Sequence, residues 1–107
     1  MRNIKLTIEY DGANYAGWQV QNKPQPTALR HRHKTIQGVI ETTLKRILRE
    51  RIRLVVAGRT DAGVHAEAQV ANFKTCSSIT LDKLKRALNG LLPRDISIIK
   101  AEEVGLQ

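Results

Sequence analysis

IRLVVAGRTDAGVHAEAQVANFK, residues 52 to 74, holds two apolar runs separated by a short polar one. In the first run Ile52, Leu54 and Val56 alternate, which is the period of a strand with one face in a core. The second run reads as a strand from Ala68 to Lys74. Between them AGRTDAGVHA, Ala57 to Ala66, packs two glycines, an arginine, an aspartate and a histidine into ten positions. The pair predicts a hairpin with an oversized tip.

Each flank of this hairpin repeats one arrangement, a helix and a strand. On the N-terminal side Thr35 is placed to cap a helix in which Ile36, Val39, Ile40, Leu44, Ile47 and Leu48 keep helical spacing through about Glu50. Lys45, Arg46 and Arg49 fall in its last turns, where cations complement the helix dipole. Further back, Ile4, Leu6, Ile8 and Tyr10 alternate with Lys5, Thr7 and Glu9, the pattern of a half-buried strand. On the C-terminal side, after a polar break at Ser77 and Ser78, Leu81, Leu84, Leu88 and Leu91 mark a second helix, which Asn89-Gly90 is suited to end. Pro93 then clears the way for a strand over about Ile96 to Lys100. Strand, helix, strand, strand, helix, strand is the split βαβ unit. The fold class predicted is α+β, a ferredoxin-like (RRM-like) βαββαβ sandwich whose antiparallel sheet carries both helices on one face.

A chain of 107 residues is enough for one small domain with a modest core. Its 18 Lys and Arg against 10 Asp and Glu leave a formal charge of +8. A surplus of that kind favours a polyanionic partner, nucleic acid first and an anionic membrane surface second. Arg30, Arg32, Lys34, Lys45, Arg46, Arg49, Arg51 and Arg53 fall within one stretch offset only by Glu41 and Glu50. That run is either an electrostatic footprint for RNA or a solvated basic face. Cys76 is the single cysteine, so no intrachain disulfide can form, and a small buried hydrophobe is its expected role. The N-terminus MRNIKLTIEYDG lacks the apolar segment of a secretory signal, and no run reaches membrane-spanning length. A soluble cytoplasmic protein is expected.

Asp11 to Lys34 does not fit a minimal version of this fold, because structureless segments of that length are usually functional or disordered. DGANYAGWQVQ carries the one Trp and is expected to be ordered against the domain. NKPQPTALRHRHK has two prolines, no acid and many basic residues, and is expected to be mobile. His31 and His33 alternate in that basic run with only Cys76 to join them, so no metal site is expected. Phosphate-loop and dinucleotide fingerprints are absent.

The hairpin tip therefore carries the remaining chemistry. Asp61-Ala62-Gly63 is ordinary turn chemistry, with Asp bonding its own backbone and Gly supplying a positive φ. A plain hairpin, however, closes in about two to five residues and needs neither Arg59 nor Thr60 nor His65. Arg59, two residues away, would hold the Asp61 carboxylate ionised, and an ionised carboxylate can act as nucleophile or base. From the residues alone, a turn and a catalytic loop both stand.

AGRTDAGVHA, preceded by YDGANYAGWQ and TIQGVIETTL and followed by ALNGLLPRDI and AEEV, resembles the N-terminal domain of TruA-type tRNA pseudouridine synthases. The resemblance covers nearly all of residues 1–107 except Asn22 to Lys34, a segment longer than that family leads one to expect. It implies isomerisation of an RNA uridine to pseudouridine in the anticodon stem-loop of tRNA, by cleavage of the N-glycosidic bond and rejoining of the ribose to C5, with no metal or organic cofactor. Asp61 then matches the motif's catalytic carboxylate. Arg59 matches the arginine that pairs with it and takes the space of a flipped-out base. Arg30, Arg32, Lys34, Arg49, Arg51 and Arg53 become candidate RNA-binding residues, since recognition of a stem is largely by shape and phosphate position.

Members of that family are homodimers and carry a second α/β domain that completes the cleft and supplies an aromatic residue against the uracil. The chain is accordingly expected to be a fragment or an isolated domain. A noncatalytic RNA-binding module on the same fold is the alternative. It would stack bases on sheet aromatics, for which only Tyr10, Tyr15, Trp18 and Phe73 are available. Trp18 is expected to pack against the sheet edge, and Tyr10 to be core or sheet surface.

Overall fold

The computed structural model describes residues 1–11, 35–60 and 67–105. Six elements follow in the order β1 (Arg2–Tyr10), α1 (Ile36–Leu48), β2 (Val55–Thr60), β3 (Glu67–Thr75), α2 (Leu81–Leu91) and β4 (Ile96–Val104). The strands form one sheet in the order β2-β3-β1-β4, and every neighbouring pair is antiparallel. This is the expected α+β ferredoxin-like arrangement.

Both helices pack on the same face of the sheet. Ile4, Leu6 and Ile8 of β1, Ala71 and Phe73 of β3, and Ile96 and Ile98 of β4 meet Ile36, Ile40 and Leu44 of α1 and Leu84 and Leu88 of α2 in one buried cluster. Burying an aliphatic side chain of this size contributes about 1.5–3 kcal/mol. Those three α1 residues and two α2 residues therefore hold the helices to the sheet.

Capping fixes where each helix starts. The Thr35 hydroxyl accepts from Gly38 N–H at 3.1 Å, as expected, and Thr80 accepts from Lys83 N–H at 3.3 Å. Arg49 ends α1 in the left-handed region with φ 57, its N–H closing on the Lys45 carbonyl at 2.8 Å.

Four expectations need correction. The second strand begins at Val55 and not at Ile52. Ile52 and Leu54 are buried as the alternation implied, but Leu54 N–H donates to Glu41 Oε2 at 2.8 Å and its carbonyl accepts from Gln37 Nε2 at 3.1 Å. The backbone here is bonded to α1 side chains and not to the ladder. Nor does Asn89-Gly90 end the second helix, which runs to Leu91. Asn89 exchanges two hydrogen bonds with the backbone of Ile98, Nδ2 donating to the carbonyl at 3.0 Å and Oδ1 accepting from N–H at 2.8 Å. Termination falls to Leu92, extended at φ −72, ψ 150, as the residue before Pro93 must be.

The last strand continues past Lys100 to Val104. A bulge sets Ile99 as an extra residue between Ile98, opposite Ile8, and Lys100, opposite Thr7. It breaks the apolar alternation at the point where a pattern reading stops. Cys76, finally, is exposed.

Candidate active site

β2 and β3 bring the motif to one end of the sheet. The ladder runs Val55 opposite Asn72, Val56 opposite Ala71, Gly58 opposite Val70, Arg59 opposite Gln69 and Thr60 opposite Ala68. Ala57 is the extra residue of a bulge, and the shift it introduces decides the register beyond it. Without the bulge Gly58 would stand opposite Gln69; with it, Arg59 does. The AGRTDAGVHA stretch is thus strand as far as Thr60, and the backbone of Arg59 belongs to the ladder. Asp61 and His65 lie outside the described residues.

Gln69 is a buried polar residue in an apolar row. On the helix-facing side of β3 it continues the line of Phe73 and Ala71, yet it is only 4% exposed. Tyr10, also 4% exposed, donates its hydroxyl to Gln69 Oε1 at 3.3 Å. Beside them Asp11 N–H donates to the Asp95 carbonyl at 2.9 Å and ties the end of β1 to the turn before β4. Neither composition nor motif singles out Gln69 in the sequence. The visible signal was a carboxamide at a position where the alternation Gln69, Ala71, Phe73 asks for an apolar residue.

The candidate RNA-binding arginines separate from this end. Arg49 and Arg51 flank Glu50, whose carboxylate accepts from the Thr75 hydroxyl at 2.5 Å and from Cys76 N–H at 3.1 Å. Thr75 and Ala68, the partner of Thr60, are seven residues apart on β3, about 23 Å of extended strand. Arg49, Arg51 and Arg53 are all exposed. The two acids of the basic run are both engaged in holding the chain: Glu50 as above, and Glu41 on Leu54 N–H. The Thr75 hydroxyl, with the Cys76 and Ser77 backbone, holds the Glu50 carboxyl below the usual range, while burial pushes the other way. Arg30, Arg32 and Lys34 lie outside the described residues, as do Tyr15, Trp18, His31, His33 and the whole segment Asn22 to Lys34. Tyr10 and Phe73, 4% and 2% exposed, belong to the core.

Known proteins resemble this chain over almost all of it. A family described as tRNA pseudouridine synthase matches residues 6–107. The tRNA pseudouridine synthase A of Caldicellulosiruptor saccharolyticus is 57% identical over 107 residues, taking in 99% of this chain and 40% of the relative. The tRNA pseudouridine synthase A of Thermodesulfovibrio yellowstonii is 53% identical over 104 residues, 97% of this chain and 37% of the relative. A tRNA pseudouridine synthase A 2 of Clostridium tetani is 48% identical over 106 residues, with coverages of 99% and 40%. The chain spans about two fifths of the length of these relatives.

Proposed function

The chain belongs to the tRNA pseudouridine synthase family, and from that premise we propose that it is the aspartate-bearing N-terminal domain of an isomerase that converts uridine to pseudouridine in the anticodon stem-loop of tRNA. The observation that carries this reading is the family match over residues 6–107, which takes in the AGRTDAGVHA motif. The reaction breaks the bond from ribose to uracil N1 and makes one to C5, so it needs a charged group at the glycosidic carbon or the base and access to both. Asp61 supplies the ionised carboxylate. Arg59, held in the ladder beside Gln69, supplies the guanidinium that pairs with it and fills the stack when the nucleotide is extruded.

Exposed Arg49, Arg51 and Arg53 contact phosphates a strand's length from the reacting uridine, with Arg30, Arg32 and Lys34 adding to the same footprint. The rest of the enzyme supplies the other wall of the cleft, and two copies associate as a cytoplasmic homodimer. The alternative of a noncatalytic module stacking bases on the sheet has less support, because Tyr10 and Phe73 are buried against the helices.

A chimera tests this, with residues 1–107 replacing the matching part of the Caldicellulosiruptor saccharolyticus relative. Asp61→Asn should abolish pseudouridine formation on an anticodon stem-loop while leaving tRNA affinity and Tm nearly unchanged, since Asn keeps the turn but cannot ionise. Arg59→Lys should lose most activity, because a point charge does not replace a planar fork. Near-normal turnover by Asp61→Asn would return the aspartate to a turn role.

A further inference from the structure

We propose that Arg49, Arg51 and Arg53 form a comb that takes three successive phosphates of one RNA strand, held in shape by the inward residues Glu50, Ile52 and Leu54. The proposal rests on tRNA being the substrate, and it deepens that reading from a basic surface to a defined subsite.

Burial alternates residue by residue along this segment. Arg49, Arg51 and Arg53 are exposed, Ile52 and Leu54 are 6% and 2% exposed, and Glu50 turns in to Thr75 and Cys76. Such alternation is the mark of extended backbone, yet the ladder begins only at Val55. The inward side chains do the holding: the Glu50 carboxylate through its two bonds at the end of β3, and Ile52 and Leu54 in the core cluster. Alternate residues of an extended chain lie about 6.5 Å apart, close to the step between successive phosphates of a nucleic-acid strand. Arg49 stands at the bend where α1 gives way to this segment.

The fold also withholds neutralisation from these arginines. Glu41 is drawn to Leu54 N–H and Glu50 to Thr75 and Cys76, so both acids near the comb bond inward. Elsewhere Arg2 pairs with Glu103 and Arg86 with Asp82, but among the described residues no carboxylate pairs with Arg49, Arg51 or Arg53. Like charges gathered without counter-charges destabilise the compact state, and a polyanion relieves that repulsion on binding. Arg49 adds an independent sign. It is the one non-glycine residue with positive φ among the described residues, at a helix end where glycine is favoured. An arginine kept against backbone preference is kept for its side chain, and a guanidinium fork matches phosphate oxygens.

In the same chimera, Arg49→Gln, Arg51→Gln and Arg53→Gln are each titrated against a labelled anticodon stem-loop in which one phosphate at a time is replaced by an uncharged methylphosphonate. With all three arginines present, affinity should fall about tenfold, the worth of a hydrogen bond between charged groups, at three adjacent linkages of one strand. Each variant should lose its sensitivity at one of these linkages, in chain order, and keep it at the other two. Arg49→Gly should behave as Arg49→Gln does, with Tm level or higher, since glycine suits the left-handed region.

Sensitivity spread over both strands, or unmoved by the arginine changes, would overturn the proposal. So would a lower Tm for Arg49→Gly with affinity intact, which would make Arg49 a structural residue. If the chimera forms pseudouridine while the sensitive linkages are scattered, the comb falls and the functional reading stands. Three adjacent linkages together with normal turnover by Asp61→Asn would remove the catalytic assignment and leave the comb in place. A chimera that binds no tRNA removes both.

Discussion

Glu50 is a carboxylate whose acidity the fold raises, chiefly through the Thr75 hydroxyl and then the Cys76 N–H, so that its pKa is lowered. A folded-state pKa below the unfolded one means stability that is present above the unfolded value and lost as pH falls through the folded one. Glu50→Gln should therefore lower Tm near neutral pH, because a neutral amide is a weaker acceptor for the same two donors. The gap between the two proteins should close as the solution is acidified through the carboxylate range. Thermal melts of both proteins across that range check this; a gap indifferent to pH would mean that the bond from Thr75 owes nothing to the charge. The consequence is local order, since Glu50 fastens the exit of α1 to the end of β3 and leaves Arg49 and Arg51 facing water on either side.

At the scale of elements, α2 and β4 depend on one another through Asn89. β4 is an edge strand, and an edge residue has N–H and C=O groups with no ladder partner on the outer side. Asn89 takes both groups of Ile98, beside the bulge where the ladder with β1 is interrupted. The glycine that follows has no comparable duty. Gly90 lies within α2, and a Cβ built on it meets nothing within 4 Å. Gly90→Ala should therefore stabilise the domain by about 0.5–1 kcal/mol, the cost of glycine in a helix interior. Chemical denaturation measures it, and a loss of stability would mean that the last turn of α2 needs glycine's backbone freedom.

For the whole molecule the question is what a charge of +8 does when it is unevenly placed. Arg49, Arg51 and Arg53 lie along the approach from α1 to β2, and Arg49 and Arg51 stand at the end of β3 far from Thr60. RNA engaged at both places must lie along the domain. Neutralised phosphates release counterions, so tRNA affinity should fall steeply with salt. Changing all three arginines to Gln should reduce the slope of log affinity against log salt by about two to three, at roughly 0.7–0.9 for each phosphate no longer neutralised. Titration of labelled tRNA at several salt concentrations decides between a footprint and a solvated face, the latter leaving the slope unchanged. Because these side chains do not enter the core, Tm should not move.

The order of elements, the helix start at Thr35, the buried face of β1 and the stretch that carries Arg59 and Asp61 are legible in the chain alone. These are local matters: a period of two or of 3.6 residues reports which face is buried, and a cap or a motif is written in consecutive residues. Packing between elements sets the rest: the two bulges, the late start of β2, the exposure of Cys76, the use of Asn89 on β4 and the meeting of Tyr10 with Gln69. Each depends on a pairing between two different elements that no local period encodes: Leu54 with Glu41 and Gln37, Cys76 with Glu50, Asn89 with Ile98, and Tyr10 with Gln69. A strand's pattern names its buried face but not its register, and a single extra residue at Ala57 or Ile99 exchanges the faces of everything beyond it. That exchange, invisible along the chain, is what sets Arg59 opposite the buried carboxamide.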